Sequence, residues 1–419
     1  MRKPMWAVLI AVFLLAGLWP AGAATGQAKA ALTFWSWRAE DRAFYESMIR
    51  KFESQNPGVS IDFQTYKPTD YATVLSAAMQ AGKGPDILQV RAYGALQPFA
   101  RPEFLVPLED KVPELKTFSP QWLDGARSQA DGKVYGVPFA FQALVIFYNK
   151  QLLSKAGVKP PHTWDEFLAA LKTLKDHGIT PLANGAKEGW TLEVAMGVLA
   201  PNFYGGSNFY DAVIRGQTTF RDPRFTGALA KMTEIRPYMP QGYEGVSYTD
   251  MQQLFANEQA AMYIGGIFEL GYFQSQNPSL QIGVLPGPVQ RASDTPWISS
   301  YDDGNYGVNA KTRYMDEAIK FIRFTATREW GQEFTNQLKQ LSAVPGVKVQ
   351  DPTLQQVLGW MRHSTPYVML VGFRWQNPTG SELIQNDLQG LFAGKLTPQQ
   401  VGDDVTRGLS TWFAPFKNR

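Results

Sequence analysis

The stretch Asp131–Lys150, DGKVYGVPFAFQALVIFYNK, decides how this chain is read. Asp131-Gly132 is a tight-turn signal. Val134–Val137 and Val145–Tyr148 are short apolar runs rich in β-branched and aromatic residues, which predicts strands. Between them, Pro138 removes a ladder donor, and Phe139 and Phe141 flank the lone amide of Gln142. A chain passing from one compact unit to another has this character, and so does the floor of a cleft.

The regions on either side fit that picture. The 419 residues exceed one ordinary core and suit two domains, and 44% apolar content is ample to pack them. Upstream, ALTFWSW (Ala31–Trp37) predicts a first strand. Phe44, Met48, Ile49 and Phe52 recur at helical spacing, and Val59–Phe63 predicts a second strand. Tyr71–Gln80 predicts another helix, and Pro85–Val90 leads into a third strand. This alternation implies parallel strands with helical crossovers, whose ligands sit beyond the carboxyl ends of the strands. Trp35, Trp37, Arg38, Gln89, Arg91 and Tyr93 fall at those ends. One of the two tryptophans is expected in the core; Trp37 with Arg38 is the choice for the cleft.

Downstream, Thr163-x-x-Glu166 is a capping-box pattern opening a helix that Gly178 closes. Ala260–Ile264 predicts a strand broken by Gly265-Gly266. Pro286-Gly287-Pro288 reads as a second crossing and Thr327–Phe334 as a third. SYDDGNY (Ser300–Tyr306) reads as an acidic, aromatic loop between them, with Asp303-Gly304 as its turn and Asp303 and Tyr306 as candidate contacts. No repeat or low-complexity linker separates the parts, which favours interleaved domains.

Five segments in order carry a resemblance: GKGPDILQV (Gly82–Val90), Tyr148-Asn149-Lys150, HTWDEF (His162–Phe167), AAMYIGGIFE (Ala260–Glu269) and LFAGKLTPQQV (Leu391–Val401). With Asp131–Lys150, they resemble the extracellular solute-binding proteins of ABC-type sugar importers, the maltose-binding-protein-like superfamily. The resemblance implies two interleaved α/β lobes around a central cleft, with three crossing segments. The lobes are expected at 24–137 plus 287–330 and at 138–286 plus 331–419. It implies a monomer that captures a carbohydrate, closes on it and delivers it to an inner-membrane permease. Glycerol phosphoesters, polyamines and ferric ion remain as alternative cargoes.

A pyranose needs rings against its C–H faces and amides, carboxylates or guanidinium groups at its hydroxyls. By the resemblance, Gln142 stands where sugar-binding relatives place a polar side chain facing the ligand, with Phe141 beside it. Phe268 takes the place of a platform that is commonly Trp, and Glu269 next to it can accept hydroxyl bonds. Trp190, in EGWTLE, and the pair Arg374 and Trp375 match further cleft positions.

Composition narrows the alternatives. Without Arg2 and Lys3 the balance is 38 basic to 37 acidic residues, evenly mixed, so no basic face calls for nucleic acid. His162, His177 and His363 are not at metal-ligand spacing. There is no phosphate-binding glycine loop, dinucleotide fingerprint or nucleophile elbow, so no cofactor, metal or catalytic role is expected. A secreted glycosidase using Glu269 and Asp303 is the enzymatic alternative. Arg2-Lys3, the apolar run Met5–Trp19 and Ala21-Gly22-Ala23 predict a cleavable secretory leader over residues 1–23. The sequence has no cysteine to carry a lipid, which places the exported chain in the periplasm.

Overall fold

In AALTFWS, alternation buries Leu32, Phe34 and Ser36 on one face, as a strand covered by helices requires. This is β1 (Ala30–Ser36) of a computed structural model that describes residues 30–101 and 103–417. The leader read in residues 1–23 lies outside the described residues. The strands that follow are β2 (Val59–Thr65), β3 (Ile87–Arg91), β4 (Val137–Asn149), β5 (Thr180–Leu182) and β6 (Ala260–Gly266). After them come β7 (Ile282–Leu285), β8 (Ile298–Val308), β9 (Leu341–Ser342) and β10 (Ser364–Pro366). They pair in the order β2-β1-β3-β8-β4-β6-β5, with β10 beside β8 and both β7 and β9 beside β4.

β1 runs parallel to β2 and β3, as the β-α-β reading requires, while β8 is antiparallel to β3 and β4. Helix Arg42–Gln55 turns Phe44, Tyr45, Met48, Ile49 and Phe52 inward. With Phe34, Phe63 and Leu88 they form the N-terminal core. The C-terminal unit has its own packing on both sheet faces, around Leu192, Phe225 and Leu388 on one and Phe147, Phe255 and Phe273 on the other. Thr163 and Glu166 form the expected capping box, and Gly178 follows the helix with φ +72°.

Three segments join the units: β4, β8 and the chain around β9. The expected strand pair at Val134–Val137 and Val145–Tyr148 is one continuous strand from Val137. Pro138 is tolerated because the β4–β8 register shifts beside it, so no ladder hydrogen bond is demanded of its nitrogen. SYDDGNY is likewise not a loop; it lies within β8. Gly304 is there for close approach, since a Cβ would meet the Trp37 ring and the Val90 carbonyl, each at 2.8 Å.

The other two crossings fall later in the chain than expected at Pro286-Gly287-Pro288 and Thr327–Phe334. Beyond β7 the chain stays with the C-terminal unit, where Val289 pairs with Thr163. Helix Arg328–Leu338, at the place expected for the third crossing, buries Trp330, Phe334 and Leu338 in the N-terminal core. Its apolar stripe holds it against that core, and the chain crosses only afterwards, at Leu341–Ser342 against β4.

Candidate functional site

A cavity of about 440 Å³ lies between the units, where β1 and β3 end and β8 crosses. The N-terminal unit contributes Trp37 and Arg38 after β1 and Arg91 at the end of β3. Asp303 and Tyr301 come from β8. From the C-terminal unit, helix Gly189–Leu199 supplies Trp190 and Glu193, and the turn after β6 supplies Phe268. Arg374 approaches from the loop before helix Gly380–Phe392, which adds Ser381 and Gln385.

The rings are held by one another. Trp190 meets Tyr248 edge-on at 4.7 Å, and Tyr301 and Tyr367 lie 5.4 Å apart. Trp37 is nearly buried, and the Arg91 guanidinium lies 4.2 Å from its ring centroid. The wall therefore offers both aromatic faces and a cation–π pair.

Each guanidinium in the wall is paired with a carboxylate. Arg38 is bonded to Asp41 through Nε and lies 3.4 Å from Glu40 and 3.8 Å from Asp303. Burial opposes its charge, but Asp41, Glu40 and Asp303 outweigh burial and hold the guanidinium well above its ordinary range. Arg91 reaches the same Asp303 at 3.3 Å. Burial, with help from Arg374 and Arg38, lowers the Arg91 guanidinium, and Asp303 works against them. Across the cleft, Arg374 donates to Ser381 at 2.6 Å and faces Glu193 at 3.5 Å. Glu193 is fully buried and also accepts from Ser381 at 2.7 Å and Gln385 at 2.5 Å.

Of the residues singled out from sequence, Trp37, Arg38, Arg91 and Asp303 share this cavity with Trp190, Phe268 and Arg374. The others are elsewhere, for physical reasons. Gln89 is buried, bonded to Ser36 and to the Tyr45 hydroxyl, because its β3 position points into the N-terminal core. Tyr306 is also core, its hydroxyl 3.0 Å from that of Tyr45. Gln142 lies beneath the floor, donating to Asp303 and Gln340. Glu269 sits behind the wall and accepts from Gln252 and Tyr263, each at 2.8 Å. Burial pushes its carboxyl up to about 7, against those two donors and Tyr248. Tyr93, Phe141 and Trp375 line a different cavity, on the other face of the crossing strands.

Sequence reasoning missed Glu193, Tyr248 and Gln385. Glu193 alone left a trace, as one carboxylate in the otherwise apolar run TLEVAMGVL. A fully buried charge in such a run needs partners, and here they converge from a second helix.

A family model described as bacterial extracellular solute-binding protein matches residues 35–332. This chain belongs to that family.

Among relatives of this solute-binding protein, the multiple sugar-binding protein of Streptococcus mutans is 24% identical over 383 residues, 87% of this chain and 89% of the relative. The sn-glycerol-3-phosphate-binding periplasmic protein UgpB of Shigella flexneri is 26% identical over 414 residues, 91% and 92% of the two chains. A solved structure from a study of xylan utilization by Caldanaerobius polysaccharolyticus superposes with a TM-score of 0.77 at 25% identity, covering 90% of this chain and 98% of that one. The shared architecture is that of two-lobed solute-binding proteins. The relatives are named as binding proteins, not as enzymes.

Proposed function

We propose that this solute-binding protein captures a sugar between its two units and delivers it to the permease of an ABC importer. The observation that carries this reading is an inter-unit cavity that combines aromatic faces with guanidinium groups already neutralised by carboxylates. Such a wall offers stacking surface and charge-assisted hydrogen bonds without an uncompensated cation, which suits a neutral polyol. A relative named for sugars supports the same class. A phosphoester, the cargo in the name of the Shigella flexneri relative, would arrive with net charge at arginines already engaged with Asp41, Asp303 and Glu193.

Trp190 and Phe268 supply stacking faces, and Arg91, Arg374 and Asp303 meet hydroxyls at the edge of the ring. Closure brings the walls together about the crossing strands, a mode of motion known in periplasmic binding proteins. Sugar shifts the population toward the closed form by binding that form better. Micromolar affinity corresponds to about −8 kcal/mol, which a few stacked rings and several hydroxyl bonds supply after ordering costs. The permease recognises the closed form. The basic and apolar start of the sequence supports export to the periplasm.

A thermal-shift screen against mono-, di- and trisaccharides and sn-glycerol 3-phosphate tests the reading, since a ligand raises the melting temperature by mass action. Neutral saccharides are expected to raise it and to be recovered unaltered. Stabilisation by the phosphoester alone, or cleavage of the saccharide, would overturn the proposal.

A further inference from the structure

The crossing strands have two faces, and only one of them belongs to the cavity described above. Along β8, Asp303 turns to that cavity and Ser300 to the opposite side; along β4, Gln142 bonds to Asp303 while Phe141 points away. On that opposite side lies a larger cavity, about 1140 Å³, also walled by both units. The two adjoin at Tyr301, which lines both, and are parted elsewhere by a close contact: a Cβ at Gly94 would overlap the Arg374 carbonyl. Next to it, Tyr93 meets Trp375 edge-on at 6.3 Å.

The chemistry of the rear cavity differs from that of the front. Its rings come from both sides: Tyr93 and Phe141 on one, Tyr210, Trp375, Trp412 and Phe413 on the other. Asp124 from the N-terminal unit and Asp211 from the C-terminal unit stand at its rim. Its one cationic side chain among the described lining residues, Arg127, is held by Glu109 at 3.3 Å and by the Gly132 carbonyl. Asp211 has only a loose surface partner, Arg215 at 3.8 Å. Aromatic walls with surplus negative charge are the environment that holds ammonium groups.

We propose that this rear cavity is a second binding site, for a small organic cation that carries its ammonium on an aromatic or apolar body. Asp124 and Asp211 supply the counter-charge, and Trp375, Tyr93 and Tyr210 supply the faces. Because both units wall it on the far side of the crossing strands, its width follows the same rotation that closes the front cavity. The two ligands are therefore coupled, each changing the affinity of the other by the same factor. The coupling rests on the sugar reading; the rear site itself does not.

The test is calorimetric titration of the full chain with tyramine and with tyrosol, its neutral counterpart with a hydroxyl in place of the ammonium. Tyramine is expected to bind at one site, and tyrosol about tenfold more weakly or not at all. Asp124→Asn, Asp211→Asn and Gln376→Lys, the last at an exposed residue of the same lining, should each weaken tyramine several-fold, whereas Trp190→Ala, in the front cavity, should leave it unchanged. Equal affinity for tyramine and tyrosol, or loss of tyramine binding in Trp190→Ala with retention in Gln376→Lys, would overturn the proposal. If the rear site holds and no saccharide stabilises the protein, the sugar reading alone fails.

Discussion

The Arg91 guanidinium lies over the Trp37 ring, 4.2 Å from its centroid, while its Nη1 reaches Asp303 at 3.3 Å. One side chain from the end of β3 therefore ties a ring after β1 to a carboxylate on the crossing strand β8. Its side chain is partly exposed on the cavity wall, so its removal acts on the ligand more than on the fold. Arg91→Ala should weaken the saccharide that emerges from the stability screen by about 1.5–3 kcal/mol, with little change in the denaturation midpoint of the free protein. Arg91→Lys should restore only a fraction, because an ammonium cannot stack flat on Trp37 and bond to Asp303 together. Calorimetry on both variants checks this.

Two tryptophans of similar appearance in sequence should behave oppositely. Trp190 is half-buried on the cavity wall against Tyr248. Trp164 is 2% exposed, packed on Phe167 and Phe203, and donates to Glu234 at 2.8 Å. Trp190→Ala should lower ligand affinity and barely move stability. Trp164→Ala should cost about 3–5 kcal/mol of stability, as large aromatic truncations in cores do. Parallel denaturant titrations and binding isotherms separate the two, and the reverse ranking would place Trp190 outside the site.

Much of the fold is legible in the amino-acid sequence. The β-α-β start, the Thr163 capping box and the strand before Gly265-Gly266 are local patterns, and local patterns follow from side-chain spacing. The crossings are not local. Asp303-Gly304 carries every sign of a turn, yet burial of Asp302 and Asp303 between two units extends the strand through it. The same distinction governs the site. Residues at strand ends, such as Trp37 and Arg91, can be placed from topology alone. Glu193 cannot, because its meaning depends on Ser381 and Gln385, nearly two hundred positions away. Gln142 shows the converse: its surroundings in the chain mark a crossing, but its amide is spent on Asp303 and Gln340.

That last arrangement makes Gln142 a positioning residue in a buried network. Gln142→Ala removes a donor from Asp303, which already answers to Arg38 and Arg91. The expected cost is about 1–3 kcal/mol of stability, together with a loss of affinity through a displaced Asp303. A double-mutant cycle with Asp303→Asn should show non-additive stability changes; strict additivity would mean that the two do not act together.

Glu193 offers a sharper case of buried charge. Its carboxylate accepts from Ser381 and Gln385 and faces Arg374, so Glu193→Ala strands three donors around a buried position. Destabilisation of about 3–5 kcal/mol is expected, the range for breaking one side of a buried pair. Glu193→Gln keeps the shape and loses the charge; it should recover much of the stability but leave Arg374 uncompensated. If the carboxylates that hold the wall's guanidinium groups keep anions out, Glu193→Gln should also shift preference toward anionic sugars, read by comparing glucose and glucuronate oligomers.

Glu269 sets a pH dependence whose sign follows from its environment. Burial raises its carboxyl to about 7 in the folded chain, whereas in the unfolded chain it titrates near the ordinary carboxylate value. Between about pH 4.5 and 7 the folded state therefore holds more protons than the unfolded state, and stability falls as pH rises through that window. The loss from this one group reaches about 3 kcal/mol at full ionisation, at about 1.4 kcal/mol per unit. Asp41, raised to about 6 by burial, pulls in the same direction. Asp222, lowered to about 2 chiefly by its bond to Arg224, contributes in the opposite sense and only in strong acid, where its stabilisation is lost. Glu269→Gln keeps the shape and the bond accepted from Gln252, with its amide nitrogen donating to the Tyr263 hydroxyl, and has no titration, so it should flatten the decline in stability between about pH 5 and 8. Because Glu269 backs the wall at Phe268 and Tyr248, the same substitution should also reduce any pH dependence of saccharide affinity over this range. Denaturation midpoints of both proteins across the window decide the matter: parallel curves for wild type and Glu269→Gln would mean that this carboxyl is not the group that titrates.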